Sequence, residues 1–382
     1  MSQIRAIQIL RAVAALMVVF SHAQGDAQFQ ALKFGGEFAR NLSLPWVAGV
    51  DLFFVTSGFI MVHASRGMFG EAAAPRTFLT RRLIRIVPLY WLITAISLVI
   101  AFFVARAGKE PFPPLAEILG SFGFVPYANA AHGDMRPIAG QGWTLNYEMF
   151  FYVLFALFVR FERDVAILGV AAALAVVVAL GAWLRPDNAA LAFWSDPIVL
   201  EFALGMGLAW AWGHGLRMSR IASAALALAA VALLALDLDA IRAVPLGMAE
   251  PNGFLRLLGC GAPMAMLFAA AVLIRPELSG KSGVADFAAA VGDASYALYL
   301  FHPLAIIFTR KAYLAAHGDA RMGLWPLVGI EVVVAVAFAF GVYRFVESPV
   351  TRRLQRAFGG RGKVARAEMA RPLASKVERE AA

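Results

Sequence analysis

A chain of 382 residues in which 61% are hydrophobic and only 15% are charged is not a soluble enzyme, because soluble domains carry about 25% charged residues. The net charge of +9 comes from basic residues between apolar runs and near the C-terminus, so it indicates membrane-facing loops rather than nucleic-acid binding. A single cysteine, Cys260, excludes an intramolecular disulfide. These features predict an all-α polytopic membrane protein whose fold depends on helix packing.

Ten apolar runs are long enough to cross a hydrocarbon core of about 30 Å as helices. They cover roughly residues 4–23, 46–64, 87–105, 143–160, 165–184, 195–213, 220–237, 254–274, 294–311 and 324–345. No connecting segment is long enough to form a second folded domain. We therefore predict one transmembrane domain over residues 1–356, a bundle of about ten transmembrane helices, and a disordered cytoplasmic tail over residues 357–382.

The positions of lysine and arginine predict the orientation of the bundle. If the N-terminus is inside, the inner segments hold 22 of the 34 Lys and Arg residues and the outer segments hold 8. Because cytoplasmic loops are enriched in these residues, we predict that both termini are cytoplasmic. The first run also has the layout of a signal peptide, but its removal would leave nine spans and discard two candidate site residues.

The first apolar run carries two ionisable side chains, Arg11 and His22, on one helical face. Eleven residues correspond to about three turns, and the two side chains lie about 16 Å apart along the axis. An arginine at mid-depth in a bilayer costs about 2.5–3.5 kcal/mol, so it usually faces protein or a cavity. The shared face favours a polar seam. The alternative is that Arg11 extends to the inner surface and His22 only ends the helix on the outer side.

Two carboxylates are predicted near the outer face, at the depth of His22. Asp51 lies early in the second run, within GVDLFFVTSGFI, and Glu148 lies early in the fourth, within GQGWTLNYEMFFY. Convergence of these three side chains would suit a metal, a proton relay or a general-base site. No pair has the helical spacing of metal ligands, so no metal site is predicted. The alternative is that Asp51 and Glu148 accept structural hydrogen bonds from other helices.

An arginine cluster lies just before the third run, in the segment FLTRRLIRIVPLYW. Arg82 and Arg85 are three residues apart and share a helical face, so they can bind a phosphate group together, with Arg81 beside them. The alternative is that these residues only anchor the helix at the inner membrane surface, as basic residues commonly do.

Four further polar residues interrupt apolar runs. His302 lies in SYALYLFHP, and the proline after it interrupts the helical hydrogen bonds. A neighbouring carbonyl can therefore satisfy its ring, and we predict a packing role rather than catalysis. Glu347 is predicted to pair with Arg352 or Arg353. No role is predicted for two other intramembrane carboxylates, Glu201 and Glu331.

In their order along the chain, these segments resemble the membrane acyltransferase type 3 family. The resemblance rests on Arg11 and His22 with ten residues between them, on the segments quoted above, and on FVESP near the end of the last run. It extends from residue 4 to about residue 354. The WTL sequence before Glu148 departs from the more usual WSL, a change that keeps the hydroxyl group.

Members of this family O-acylate bacterial exopolysaccharides, lipopolysaccharides, Nod-factor sugars and some macrolides. This chain looks like the short exopolysaccharide-production O-acetyltransferases, which lack an appended periplasmic hydrolase-like domain. The resemblance implies a multi-pass enzyme of the bacterial inner membrane that binds no permanent cofactor and uses cytoplasmic acyl-CoA, acetyl-CoA in the simplest case, as its acyl donor. It also implies a polysaccharide or lipid-linked oligosaccharide acceptor, membrane lipids and polysaccharide-export machinery as partners, and no nucleic acid.

The resemblance assigns roles to residues of this chain. Arg82 and Arg85, with Arg81, would hold the phosphates of CoA from the cytoplasmic side. His22 matches the family's essential histidine and is the candidate general base, with an acyl-histidine intermediate as an open alternative. Arg11 matches the motif arginine and would orient the polar seam or balance a carboxylate.

Two functions from other classes remain alternatives. A glycolipid transporter or flippase would use the polar seam as a translocation path, but neither inverted repeats nor a charged substrate cavity is clear in the sequence. A structural subunit of a polysaccharide-export complex would tolerate replacement of His22. Transfer of label from acyl-CoA in membranes distinguishes an enzyme from both.

Overall fold

The structure, a computed structural model, describes residues 2–128, 135–236, 253–274, 282–317 and 323–358. Within these ranges the chain forms α-helices with short 3₁₀ and π segments, and its only β-type pairing is a bridge between Met218 and Ile274. The predicted all-α class is confirmed. Residues 359–382, most of the predicted tail, lie outside the described ranges.

The helices are numbered in chain order. The first part of the chain forms α1 (Ser2–Lys33), α2 (Gly49–Ala64), α3 (Ala74–Arg106), α4 (Leu115–Gly123) and α5 (Trp143–Phe158). The middle part forms α6 (Arg163–Leu184), α7 (Ala189–Trp194), α8 (Leu200–Gly213) and α9 (Arg220–Ala235). The last part forms α10 (Gly253–Arg256), α11 (Ala262–Val272), α12 (Gly283–Asp293), α13 (Ser295–Ala315), α14 (Trp325–Val342) and α15 (Ser348–Phe358). The π segments Leu257–Gly261 and Tyr343–Glu347 join α10 to α11 and α14 to α15.

Each of the ten predicted apolar runs coincides with one helix or with consecutive helices. Six helical stretches of the described chain are long and apolar enough to cross a membrane, and a seventh is reached if α12 and α13, bent by 75°, form one span. The others are shorter, α8 having 14 residues and α5 and α9 having 16 each, below the length that a core of about 30 Å requires. These helices make the chain a multi-pass membrane protein, but the predicted number of ten spans is not confirmed, and the side on which the termini lie stays a prediction.

α1 is the helix around which several others are arranged. It packs against α2, α12, α13 and α14, and its small residues Ala14 and Ala15 are fully buried. Small side chains let backbones come close, and close packing is what holds membrane helices together when lipid offers no hydrophobic driving force. α1 thereby brings Arg11 and His22 against neighbouring helices.

Two glycines determine the close packing of α2 against α8. A Cβ atom on Gly58 would lie 2.1 Å from the carbonyl oxygen of Phe202, and one on Gly205 would lie 2.0 Å from the carbonyl oxygen of Val55. Any larger residue at either position would therefore push the backbones apart. This contact fixes α2, whose side chains contribute to two polar sites.

A similarly close contact joins α1 to α12. A Cβ atom on Gly292 would lie 1.9 Å from the carbonyl oxygen of Gln8. Gly292 is the penultimate residue of α12, so the contact comes immediately before the 75° bend into α13. After the bend, α13 packs against α1 and carries polar side chains towards it.

Candidate active site

A cavity of about 290 Å³ lies between α1, α2, α3, α5 and α13. Its charged lining residues are Arg11 from α1, Arg82 and Arg85 from α3, and Glu148 from α5, with His63 of α2 also in the wall. The polar lining contributed by α13 consists of Ser295, Tyr296 and Tyr299. The structure therefore brings together four of the predicted site residues.

The three cavity arginines are not neutralised by direct ion pairs. Arg11 donates a hydrogen bond of 3.1 Å to the side-chain oxygen of Gln8. None of the three forms a salt bridge within the described ranges. Arg82 and Arg85 both line the cavity, as their shared helical face predicts. Guanidinium donors in the cavity therefore remain available to bind an anion.

Arg81, the third member of the predicted cluster, does not line the cavity. It is exposed, and its Nη1 atom lies 3.6 Å from Sδ of Met68. Successive residues of a helix are rotated by about 100°, so the side chains of Arg81 and Arg82 leave α3 in different directions. The structure thus corrects the predicted three-arginine group to a pair on α3, joined by Arg11 from α1.

Glu148 lies in the cavity wall and is held by two hydroxyl donors. The Ser57 hydroxyl donates a hydrogen bond of 2.8 Å to its Oε1 atom, and the Tyr152 hydroxyl donates to the same oxygen. The guanidinium of Arg82 interacts with it electrostatically. The predicted placement of Glu148 beside His22 is therefore wrong. A position early in a span fixes a residue's approximate depth but not the direction in which its side chain leaves the helix.

Asp51 belongs to a separate, buried ion pair. Its carboxylate accepts hydrogen bonds from Nε and Nη2 of Arg256, at 3.1 and 2.8 Å, and neither side chain is more than 8% exposed. The predicted convergence of His22, Asp51 and Glu148 is therefore wrong. For Asp51, the structure supports the alternative of a structural hydrogen-bond acceptor between helices.

His22 and His302 form a direct hydrogen bond between α1 and α13. Nδ1 of His22 lies 2.6 Å from Nε2 of His302. The ring planes differ by 10° and the ring centres are 4.9 Å apart. Ring centres lie this far apart when the two hydrogen-bonded nitrogens point directly at each other. The rings therefore meet edge to edge rather than face to face. His302 is only 1% exposed, whereas His22 is exposed.

The other ring nitrogen of His302 faces the backbone of its own helix. Nδ1 lies 2.8 Å from the carbonyl oxygen of Tyr299 and 3.2 Å from that of Leu298. The prediction that a neighbouring carbonyl satisfies this ring is confirmed. The contact with His22 was not predicted, because a partner 280 residues away leaves no signal in local spacing.

A short hydrogen-bond network joins the cavity wall to the part of α13 that precedes His302. The Tyr299 hydroxyl donates to the Gln141 carbonyl oxygen at 2.9 Å and accepts from the Thr144 hydroxyl at 2.9 Å. The side-chain amide of Gln141 donates to the carbonyl oxygen of Leu300 at 2.5 Å. Tyr299 and Thr144 line the cavity and neither histidine does, although His302 follows Tyr299 by only one turn of α13.

The remaining intramembrane carboxylates lie near arginines of other helices. Glu347 interacts electrostatically with Arg85 and Arg11 and forms no salt bridge with Arg352 or Arg353, so its predicted pairing is wrong. Arg352 and Arg353 follow Glu347 by five and six residues in α15, so their side chains leave the helix on other faces. The two carboxylates without a predicted role each lie beside an ion pair that contains an arginine. Glu201 is next to the pair Asp51–Arg256. Glu331 is next to the pair Asp26–Arg310.

Comparison with known proteins connects this site to a family. The sequence profile described as an acyltransferase domain, of acyltransferase family 3, matches residues 4–344. Exopolysaccharide production protein ExoZ of Rhizobium meliloti (strain 1021) is 32% identical over 315 residues, which cover 80% of this chain and 90% of that protein. Protein 2 in picA locus of Rhizobium radiobacter is 36% identical over 96 residues, 25% of this chain and 43% of that protein. No solved structure matches.

The matched range begins in α1 and ends in the π segment after α14, so it includes the whole cavity and the histidine pair. The family resemblance predicted from the ordered motifs is thereby confirmed. A profile that matches nearly the whole chain, together with a relative of similar length, establishes membership. The chain belongs to the membrane acyltransferase type 3 family.

Proposed function

We propose that the protein is a membrane O-acyltransferase that moves an acyl group, acetyl in the simplest case, from cytoplasmic acyl-CoA to a hydroxyl of a surface or exported polysaccharide sugar. The observation that carries the proposal is the cavity lined by Arg11, Arg82 and Arg85 in a chain of an acyltransferase family. The name of ExoZ, an exopolysaccharide production protein, supports a polysaccharide acceptor.

The cavity arginines suit the phosphate groups of CoA. A guanidinium group presents a planar fork of donors that binds two phosphate oxygens at once. Arg82 and Arg85 lie in the first half of α3, which the distribution of basic residues assigns to the cytoplasmic side of a bacterial inner membrane. Acyl-CoA bound there would extend its pantetheine arm along the cavity, past Glu148 and towards Tyr299.

His22 is the proposed general base. It accepts the proton of the acceptor hydroxyl while the hydroxyl oxygen attacks the carbonyl carbon of the thioester. A new C–O bond forms between the sugar oxygen and the acyl carbon, and the C–S bond of the thioester breaks. CoA leaves as a thiolate and receives the proton from His22. The products are a sugar ester and the free thiol of CoA, and His22 returns to its neutral state. The exposure of His22 supports access by the acceptor.

Arg11 and Glu148 are proposed to organise the donor rather than to exchange protons with the acceptor. Both line the arginine-rich cavity, and Arg11 is separated from His22 by about 16 Å along α1. Asp51 has no proposed catalytic role, because both of its carboxylate oxygens bind Arg256 away from the cavity.

The direct test is transfer of a labelled acyl group in isolated membranes. Membranes that contain the protein and its polysaccharide, supplied with acetyl-CoA labelled in the acetyl group, are expected to incorporate label into alkali-labile esters of the polysaccharide. His22→Ala and Arg82→Ala are expected to abolish most of this incorporation. Arg81→Ala is the matched control, because Arg81 does not line the cavity.

The alternatives give different results in the same assay. A transporter would move the acceptor across the membrane without incorporating label, and a structural subunit would be insensitive to His22→Ala. Mass spectrometry of surface polysaccharide from a deletion strain identifies the missing acyl group and the sugar that carries it. A polysaccharide with an unchanged set of esters would contradict the proposed function.

A further inference from the structure

We propose that His302 is a positioning residue that fixes the tautomer of His22 and leaves the Nε2 atom of His22 free to accept a proton. The proposal rests on the proposed function of His22 as the general base. Its evidence is a chain of hydrogen bonds that runs from a backbone carbonyl through His302 to His22, in which each donor and acceptor can be assigned.

The backbone determines the state of His302. Its Nδ1 atom faces the carbonyl oxygens of Tyr299 and Leu298, at 2.8 and 3.2 Å. A carbonyl oxygen only accepts hydrogen bonds, so Nδ1 must carry the hydrogen. In a neutral imidazole the second nitrogen then holds a lone pair, and Nε2 of His302 is an acceptor.

His302 in turn determines the state of His22. Nδ1 of His22 lies 2.6 Å from Nε2 of His302, with the rings edge to edge, so Nδ1 of His22 must be the donor. Nε2 of His22 then holds the lone pair. Among the described residues this atom has no hydrogen-bond partner, and the side chain is exposed. An available lone pair on an exposed side chain suits a general base.

A doubly protonated His302 would reverse the hydrogen bond, but its surroundings disfavour a positive charge. The ring is 1% exposed, and no carboxylate of the described chain contacts either histidine. The charged groups that act on His22 are Arg40 and Arg136, which are both positive. A buried cation without a counter-ion is strongly disfavoured, so His302 is neutral before the acceptor binds, and the positive charges of Arg40 and Arg136 disfavour a second positive charge on His22 as well.

Pro303 explains why a carbonyl group is available to His302. In a regular helix the N–H of residue 303 would donate to the carbonyl of Tyr299, but proline has no N–H. α13 continues through Pro303, so the Tyr299 carbonyl lacks its helical partner and accepts from the His302 ring instead. The His-Pro dipeptide thus supplies both the ring and the free carbonyl that orients it.

The arrangement has a kinetic consequence. When His22 takes a proton at Nε2, its Nδ1–H still donates to His302, so the bond is kept through the reaction. Without His302 the ring of His22 can rotate and exchange tautomers, and the fraction with a free, correctly directed Nε2 falls. Loss of His302 should therefore lower kcat but hardly change KM for acyl-CoA, because His302 does not line the donor cavity.

Two substitutions separate the acceptor function of His302 from its volume. His302→Phe fills the space but offers no acceptor, and it is expected to lower kcat about 10- to 100-fold, as loss of an orienting partner commonly does. His302→Gln places an amide oxygen where it can accept from His22, and it is expected to restore a large part of the lost rate. KM for acetyl-CoA should stay within about twofold in both variants.

A spectroscopic measurement tests the tautomer itself. The protein has six histidines, so ¹⁵N-histidine labelling gives few signals, and a His22→Ala sample identifies those of His22. In the wild type we expect a protonated Nδ1 and an unprotonated Nε2 for His22. In His302→Phe we expect a mixture of tautomers. This measurement does not depend on acyl transfer.

The outcomes are distinguishable. Wild-type His22 in the Nε2–H tautomer, or a His302→Phe variant with unchanged tautomer and kcat, would overturn the proposal. A tautomer as proposed in a protein whose His22→Ala variant is still active would instead overturn the proposed function. If His302→Phe does not yield monodisperse protein in detergent, the wild-type spectrum and the His302→Gln kinetics decide the question.

Discussion

Asp51 and Arg256 are 205 residues apart in the sequence and meet inside the bundle through two parallel hydrogen bonds. The pair joins α2 to α10, at the point where a π segment follows α10. Charges buried in this way are tolerated only together, because their attraction and hydrogen bonds offset the desolvation penalty of each. We therefore expect substitutions in this pair to change the stability of the fold rather than the rate of the reaction.

Arg256→Met is expected to destabilise the protein by about 3–5 kcal/mol, because it leaves a buried carboxylate without its partner. The double variant Asp51→Leu/Arg256→Met removes both charges and should recover much of this loss. Thermal unfolding of the purified variants in detergent measures the effect. If the double variant is as unstable as the sum of the two single variants, the two side chains do not act as a pair.

The cavity arginines can be tested by acyl-CoA binding. If Arg82 and Arg85 hold phosphate groups, each contact is worth about 1.5–3 kcal/mol, and removing one should weaken acyl-CoA binding about 10- to 100-fold. Arg→Lys should restore binding only in part, because a point charge does not reproduce the paired geometry of guanidinium. Binding to purified protein, with dephospho-acyl-CoA in parallel, shows whether the 3′-phosphate is the group that is held.

Arg81 provides the control for this experiment, since it belongs to the same cluster but does not line the cavity. Arg81→Lys and Arg81→Ala should bind acyl-CoA like the wild type. Anchoring of the helix at the membrane surface predicts something different, because lysine then serves as well as arginine at all three positions. Wild-type affinity in both Arg82→Lys and Arg85→Lys would contradict the phosphate site.

Pro303→Ala tests the free carbonyl in α13. The new N–H can donate to the Tyr299 carbonyl and competes with the His302 ring, although a carbonyl oxygen has two lone pairs. We expect kcat to fall by about two- to tenfold, the equivalent of one weakened hydrogen bond, with KM for acyl-CoA unchanged. Pro326→Ala is the control, because Pro326 is in the first turn of α14, where the N–H that alanine introduces has no helical acceptor.

Cysteine labelling tests the orientation on which cytoplasmic donor binding depends. Cys260 is 1% exposed, so the wild-type background should be low. Gly36→Cys and Gly67→Cys place thiols in the exposed segments before and after α2, where a Cβ atom meets nothing closer than 3.6 Å. An impermeant reagent should label position 36 in intact cells and position 67 only after permeabilisation. The opposite result would place the cavity arginines on the wrong side for cytoplasmic acyl-CoA.

The helices of this fold could be predicted from the sequence because long apolar runs have few other structures available in a membrane. The number of spans could not be predicted in the same way. Helices such as α5 and α8 are largely apolar but shorter than the thickness of an ordinary bilayer, and hydropathy alone does not show where a helix ends. The 75° bend between α12 and α13 occurs beside the close contact of Gly292 with α1, a contact between residues far apart in the sequence.

The sequence predicts the parts of the site that depend on residue spacing within one helix. It does not predict the contacts between side chains of two different helices. The common face of Arg82 and Arg85 follows from their spacing, and both line the cavity. Asp51 and Glu148 were predicted to meet His22, but each side chain turns to a partner on another helix. The pairing of His22 with His302 depends on how α13 packs on α1, which no local pattern encodes.

The hydrogen bonds among Tyr299, Thr144 and Gln141 also bear on a side reaction, the hydrolysis of the acyl donor by water. Neither histidine of the pair lines the arginine-lined cavity, so the proposed transfer requires Tyr299 and Thr144 to move when the sugar binds, and until then water activated by His22 has no acyl group to attack. Wasteful hydrolysis of the donor would then be slow whenever no sugar is present. The preference for a sugar over water would then depend on when the thioester meets His22 rather than on tighter binding of the sugar.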